Sequence, residues 1–177
     1  MASELRVDRI IPVNGVPTGG GGGIVQIVQG STSTQVNVTT STFTDTGLTA
    51  TITPTSTSSK ILVMVNQEFY VNSAVNYTYM GMRVYRDSTI IHAPVQDATG
   101  SYEWGFQQQN AAGNPNYSQF CGRATIEILD SPSTTSAVTY KTQGRPYNNQ
   151  SSTGLFYNSY GAVSNGTSYI TLMEVSG

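Results

Sequence analysis

Residues 60–72 read KILVMVNQEFYVN and form the clearest strand pattern in this chain. Alternate side chains of a β-strand point to opposite faces, so residues two apart share a face. The apolar residues that share one face here are Ile61, Val63, Val65, Phe69 and Val71. Gln67 is the single polar interruption of that face. The pattern predicts a long strand with one face in a hydrophobic core.

Similar alternation recurs on both sides of this segment, at spacings of roughly 8–16 residues. We predict further strands at 24–29, 35–40, 43–52, 76–86, 88–93, 101–108, 119–129, 136–142, 154–157 and 167–175. No segment long enough to form a helix shows the periodicity of an amphipathic helix. The expected fold is all-β: an antiparallel β-sandwich, jelly-roll-like, over residues 24–177.

Residues 1–23 differ from the rest and are predicted to be an extended N-terminal arm. The arm ends in five consecutive glycines, Gly19–Gly23, which are costly to order and suit a hinge. A phosphate-binding loop would continue with Lys and Ser or Thr into a helix, whereas a strand pattern follows here. The candidate docking residues of the arm are Leu5, Val7, Ile10 and Ile11.

The composition excludes several classes of protein. Among 177 residues only 10% are charged, and the net charge is −2, which argues against binding to duplex nucleic acid. One cysteine and one histidine leave no internal disulfide, no zinc site built on cysteines and no pair of histidines for a metal. No apolar run is long enough to span a membrane, and the first residues lack the apolar core of a secretion signal. We expect no metal and no cofactor.

Three features could be catalytic, but each has a simpler interpretation. His92 lacks a recognisable nucleophile motif, so we expect an ordinary strand or loop histidine. Glu68, Asp97 and Glu103 could supply a pair of carboxylates for glycoside cleavage, but solvated surface acids are the simpler interpretation. Cys121 lies in a strand pattern and is expected to be a buried structural thiol. The chain is therefore predicted not to be an enzyme.

Two polar segments, 95–118 and 143–153, combine aromatic rings with amides. Sugars are bound by stacking on aromatic rings and by hydrogen bonds from planar polar groups. The candidate glycan or receptor residues are Tyr102, Trp104, Asn114, Asn116, Tyr117, Tyr147 and Asn148. The competing interpretation is that these aromatic residues lie in a core or a subunit interface.

Four stretches together resemble a known group of proteins. They are residues 3–12 (SELRVDRIIP), the glycine run, residues 24–29 (IVQIVQ) and residues 52–63 (ITPTSTSSKILV). A short charged arm, a glycine run and a domain rich in Thr and Ser are similar to tail-fibre and related virion proteins of marine, cyanophage-like tailed bacteriophages. This chain has no heptad or shaft repeat, so a short fibre fits better than a long one.

The resemblance implies a structural protein of the virion that assembles in the host cytoplasm. It implies a homotrimer whose arm, residues 1–23, docks on a tail or capsid protein. The first expectation is a short tail fibre subunit that attaches to host surface glycan. The alternatives are a capsid decoration or other accessory protein that binds no receptor, and a tailspike that degrades polysaccharide.

Overall fold

A computed structural model describes residues 23–40, 42–73, 77–96, 103–104, 106–109, 118–146, 154–161 and 164–177. These residues contain strands and no helix, which confirms the all-β prediction. The strands are β1 Ile24–Thr32, β2 Val36–Val38, β3 Thr44–Ile52, β4 Lys60–Ser73, β5 Tyr77–Arg86, β6 Thr89–His92, β7 Val95–Gln96, β8 Glu103–Trp104, β9 Phe106–Gln109, β10 Ser118–Asp130, β11 Val138–Pro146, β12 Gly154–Tyr157, β13 Ser159–Gly161, β14 Ser164–Asn165 and β15 Ser168–Val175.

The strands form two antiparallel sheets and two short hairpins. In the six-stranded sheet, β10 lies on one side of β4, while β15 and β12 share its other side and are followed by β1 and β2. In the five-stranded sheet the order is β3, β11, β5, with β6 and β9 both pairing the far side of β5. The hairpins are β7–β8 and β13–β14.

The core lies between the two sheets. The predicted inward face of β4 is buried, with Ile61 and Val63 both 0% exposed. These residues share a hydrophobic cluster with Leu48 of β3, Val84 of β5 and Tyr140 of β11. At one end of the core, the Tyr140 hydroxyl donates to Asp130 Oδ2 of β10 at 2.8 Å. Asp130 also accepts from Arg86 Nη1 at 2.8 Å, so side chains from both sheets meet at this carboxylate.

The middle of β4 is where its neighbour changes from β15 to β12. Pairing with β15 reaches Asn66, and pairing with β12 resumes at Phe69. Across the gap, the backbone N–H of Glu68 donates to Ser168 Oγ at 2.9 Å, and its carbonyl accepts from Asn158 N at 2.8 Å. The intervening chain leaves the sheet as the β13–β14 hairpin. The backbone N–H and carbonyl of Glu68 therefore have partners although the neighbouring strand is interrupted there.

Gln67 lies at this break, fully buried between the sheets. Its Oε1 accepts from Thr142 Oγ1 at 2.8 Å and from Thr46 Oγ1 at 3.1 Å. Its Nε2 donates to Asn158 Oδ1 at 2.7 Å and to Ser168 Oγ at 2.9 Å. These four bonds fill the capacity of a primary amide. The interruption of the apolar face is thus a satisfied polar network that ties β4 to β3, β11, β15 and Asn158.

Two local predictions for β10 and β11 are wrong. The polar segment predicted from residue 143 begins later, because β11 continues to Pro146 through its pairing with Met80. Cys121 is exposed rather than buried, because it faces outward from β10, opposite Tyr70. Within the segment 95–118, the short strands β7, β8 and β9 occur. The jelly-roll connectivity stays a prediction, and residues 1–22 of the N-terminal arm, with Leu5, Val7, Ile10 and Ile11, lie outside the described residues.

Candidate functional site on the outer face of the six-stranded sheet

Side chains on the outer face of the six-stranded sheet line up in rows across β10, β4, β15 and β1. The first, here called the apolar row, consists of Leu129, Leu62, Met173 and Ile27. The second row consists of Glu127, Met64, Thr171 and Gln29. The third row consists of Thr125, Asn66, Tyr169 and Ser31. The chemistry changes from apolar to polar and aromatic within about 13 Å, the length of four strand residues.

The second and third rows enclose a shallow groove with a volume of about 350 Å³. Its lining residues are Gln29, Met64, Val65, Asn66, Thr125, Glu127, Tyr169 and Thr171. The Tyr169 side chain remains 39% exposed at this surface. One aromatic ring therefore stands beside two amides, two hydroxyls and a single carboxylate, Glu127. These groups match the ring-stacking and hydrogen-bonding needs of a sugar.

Hydrogen bonds fix the orientation of both amides in the groove. Asn66 Oδ1 accepts from Arg123 Nη1 at 2.9 Å, which leaves the Asn66 amide nitrogen as the donor for a ligand. Gln29 Nε2 donates to Thr171 Oγ1 at 3.0 Å, which leaves the Gln29 carbonyl oxygen as an acceptor. The groove thus presents a donor on β4 and an acceptor on β1, with orientations set in advance. Such pre-orientation reduces the entropy lost when a ligand binds.

Arg123 is itself held by a buried carboxylate. Its Nη2 lies 3.1 Å from Oε2 of Glu68, whose side chain is 1% exposed. The carboxylate lies under the segment after β14, because a Cβ added to Gly166 would fall 2.2 Å from Glu68 Oε2. Glu68 is therefore not the solvated acid expected from the sequence. It positions Arg123, and through Arg123 it positions Asn66.

Among the described residues that line the groove, none was proposed from the sequence as a glycan-binding residue. Tyr102, Asn114, Asn116, Tyr117, Tyr147 and Asn148 lie outside the described residues, as do Asp97 and residues 110–117 and 147–153. Of Trp104, the structure describes the backbone alone, which pairs with Val95 in the β7–β8 hairpin. Sequence reasoning missed Tyr169 because outward positions in a strand normally face solvent. The signal would have been its cross-strand register with Asn66, which requires knowing the strand order.

Two further features bear on chemistry. His92 is half-buried at the end of β6, opposite Val84, and burial lowers its pKa. Among the residues that the structure describes, no three His, Cys, Asp or Glu side chains come together in a way that could hold a metal ion. The same part of the chain has no helix with the length and apolarity to cross a membrane.

Comparison with known proteins finds no family model and no curated protein that matches this chain. The groove and its contacts therefore carry the functional argument.

Proposed function

We propose that this chain is a structural protein of a bacteriophage virion, a short tail fibre subunit that attaches to sugars on the host surface. The arm, residues 1–23, docks on another tail protein, and the β-domain faces the host. In this role the chain binds sugars and does not cleave them. The homotrimer expected from the resemblance stays a prediction.

The groove on the outer sheet face is the observation that carries this proposal. Tyr169 offers a partly exposed ring, and the oriented amides of Asn66 and Gln29 offer a donor and an acceptor. The groove is open and shallow, as suits a site that meets a long polymer from the side. Glu127 is the one carboxylate among the described lining residues, so this groove presents a single acid where glycoside cleavage uses two.

A groove that binds sugar weakly is sufficient for attaching a virion to its host, because the virion carries several copies of the chain. Several copies displayed together raise the overall affinity far above that of one groove, provided that all can engage at once. The low charge of the chain, 10% of residues, also limits nonspecific adhesion to charged surfaces.

A second candidate function is an accessory virion protein, such as a capsid decoration, that binds no receptor. The observation that favours it is the apolar row, in which Ile27 is 56% and Leu129 is 55% exposed. Exposed apolar patches on a folded domain mark protein contacts. This role needs the apolar row and leaves the groove without a ligand.

Binding of purified protein to immobilised sugars distinguishes the two functions. The panel comprises malto-oligosaccharides, chito-oligosaccharides and polygalacturonate, and the variant is Tyr169→Ala. The matched control is Tyr85→Ala, which removes a half-buried tyrosine from the other sheet. We expect a neutral oligosaccharide to bind and Tyr169→Ala to weaken binding about tenfold. Equal losses in both variants, or no binding to any member of the panel, would contradict attachment through the groove and favour the accessory role.

A further inference from the structure

The outer face of the six-stranded sheet, which carries the apolar row, holds most of the exposed large apolar side chains among the described residues. Five large apolar side chains in this part of the chain remain exposed, and four of them lie on the outer face of the six-stranded sheet. These four are Ile24, Ile27, Leu129 and Tyr169, and the fifth is Ile90 on β6. Within the apolar row, Leu62 and Met173 fill the space between Leu129 and Ile27 and are half-buried. A continuous apolar strip across four strands is a surface that favours burial against another sheet.

We propose that a second copy of this chain covers the apolar row, face to face, with a two-fold axis running along the row. In this arrangement each residue of the row meets its own counterpart, as an isologous contact requires. The inference does not depend on the proposed function, since it is argued from the apolar row and the charges beside it.

The charges beside the row match this symmetry. Lys60 lies two residues to one side of Leu62 on β4, and Met64 lies two residues to the other side. Glu127 is the cross-strand partner of Met64. A rotation of 180° about the row places Lys60 of one copy over Met64 of the other, next to Glu127. Lys60 and Glu127 form no ion pair with other described residues, so each is available for this contact.

The area of the contact between the two copies determines how tightly the dimer is expected to bind. Four strands about 4.8 Å apart, each contributing about five residues of 3.3 Å, give a footprint of about 300 Å² on each copy. The two copies together contribute a footprint of about 600 Å², and even with the added area of the side-chain relief this is below the roughly 1,200 Å² of specific, stable interfaces. We therefore expect a reversible dimer with a dissociation constant in the micromolar range.

The dimer covers one side of the groove. The partner's β4 starts at Lys60, about 7 Å from the apolar row, so it lies over Met64 and Glu127 of the second row, whereas Tyr169 of the third row lies about 13 Å from the apolar row. Ile27→Lys in the apolar row and Tyr169→Ala in the third row therefore probe dimerisation and sugar binding at different residues.

Sedimentation velocity of the full chain across the micromolar range tests the contact. We expect a concentration-dependent mass of two chains, or of six if a three-fold contact also forms elsewhere. Ile27→Lys should raise the dissociation constant at least tenfold, and Ile90→Lys, an exposed isoleucine outside the row, should leave it unchanged. Circular dichroism confirms that both variants are folded. A monomer throughout, a trimer alone, or equal effects of the two substitutions would overturn the proposal.

Charge reversal tests the symmetry without touching an apolar residue. Lys60→Glu and Glu127→Lys should each weaken the dimer about three- to tenfold, because like charges then face each other twice across the axis. The double variant Lys60→Glu/Glu127→Lys should restore the wild-type dissociation constant. Additive losses in the double variant would overturn the two-fold arrangement.

Discussion

Replacing Gln67 by methionine should destabilise the domain by about 3 kcal/mol. Methionine keeps the length and the unbranched shape of glutamine and removes its amide. Wild-type Gln67 makes four hydrogen bonds, to Thr46, Thr142, Asn158 and Ser168. The substitution removes all four from a fully buried position.

The magnitude depends on which partners can find a replacement. Thr46 Oγ1 lies 3.4 Å from the Thr142 carbonyl oxygen, and Ser168 Oγ still accepts from Glu68 N. These hydroxyls lose only part of their bonding, about 1 kcal/mol in total. Asn158 Oδ1 has no other hydrogen bond shown among the described residues, and an orphaned buried acceptor costs about 2 kcal/mol.

Urea unfolding followed by circular dichroism measures this loss, and a thermal melt should show a midpoint about 6–12 °C lower. Thr142→Val is the matched control, because it removes one donor and leaves Gln67 bonded to Thr46. We expect it to cost about 1 kcal/mol. If Gln67→Met lies within 1 kcal/mol of the wild type, the reasoning that the network stabilises this core is wrong.

Two further predictions concern buried polar groups. The Tyr157 hydroxyl is buried without a hydrogen-bond partner among the described residues, so Tyr157→Phe should leave stability unchanged or raise it by up to about 1 kcal/mol in urea unfolding. Tyr140→Phe removes the bond to Asp130 and should cost about 2 kcal/mol, so equal effects of the two substitutions would contradict the assignment. Burial raises the pKa of Glu174, but hydrogen bonds from Thr55 and neighbouring side chains outweigh burial and hold the pKa below its ordinary value of 4.5. The stabilisation by Glu174 is therefore complete above that value and lost as the pH falls through the lower folded-state pKa, and Glu174→Gln should flatten the acid limb of a stability–pH profile.

The strands of the core could be predicted because each carries its own pattern. The alternation in β4 and the positions of Met80, Met82 and Val84 in β5 agree with the buried faces observed. Local alternation reports which face is apolar, and burial of that face follows directly.

Gln67 and the groove could not be predicted in the same way. The partners of Gln67 lie 21 to 101 residues away in sequence, so a single polar residue on an apolar face gave no sign of them. The groove depends on register, since Asn66 and Tyr169 become neighbours only when β4 and β15 pair. The prediction that Cys121 is buried is wrong for a related reason, because a strand pattern alone does not show which face an edge strand turns to solvent.

The most direct test of the proposed role is an NMR titration of the isotope-labelled chain with the oligosaccharide that binds best in the panel. The account predicts that backbone amide shifts concentrate at Gln29, Asn66, Thr125 and Tyr169, on the outer face of the six-stranded sheet. Shifts confined to residues 95–118 and 143–153, with none at these four positions, would contradict it.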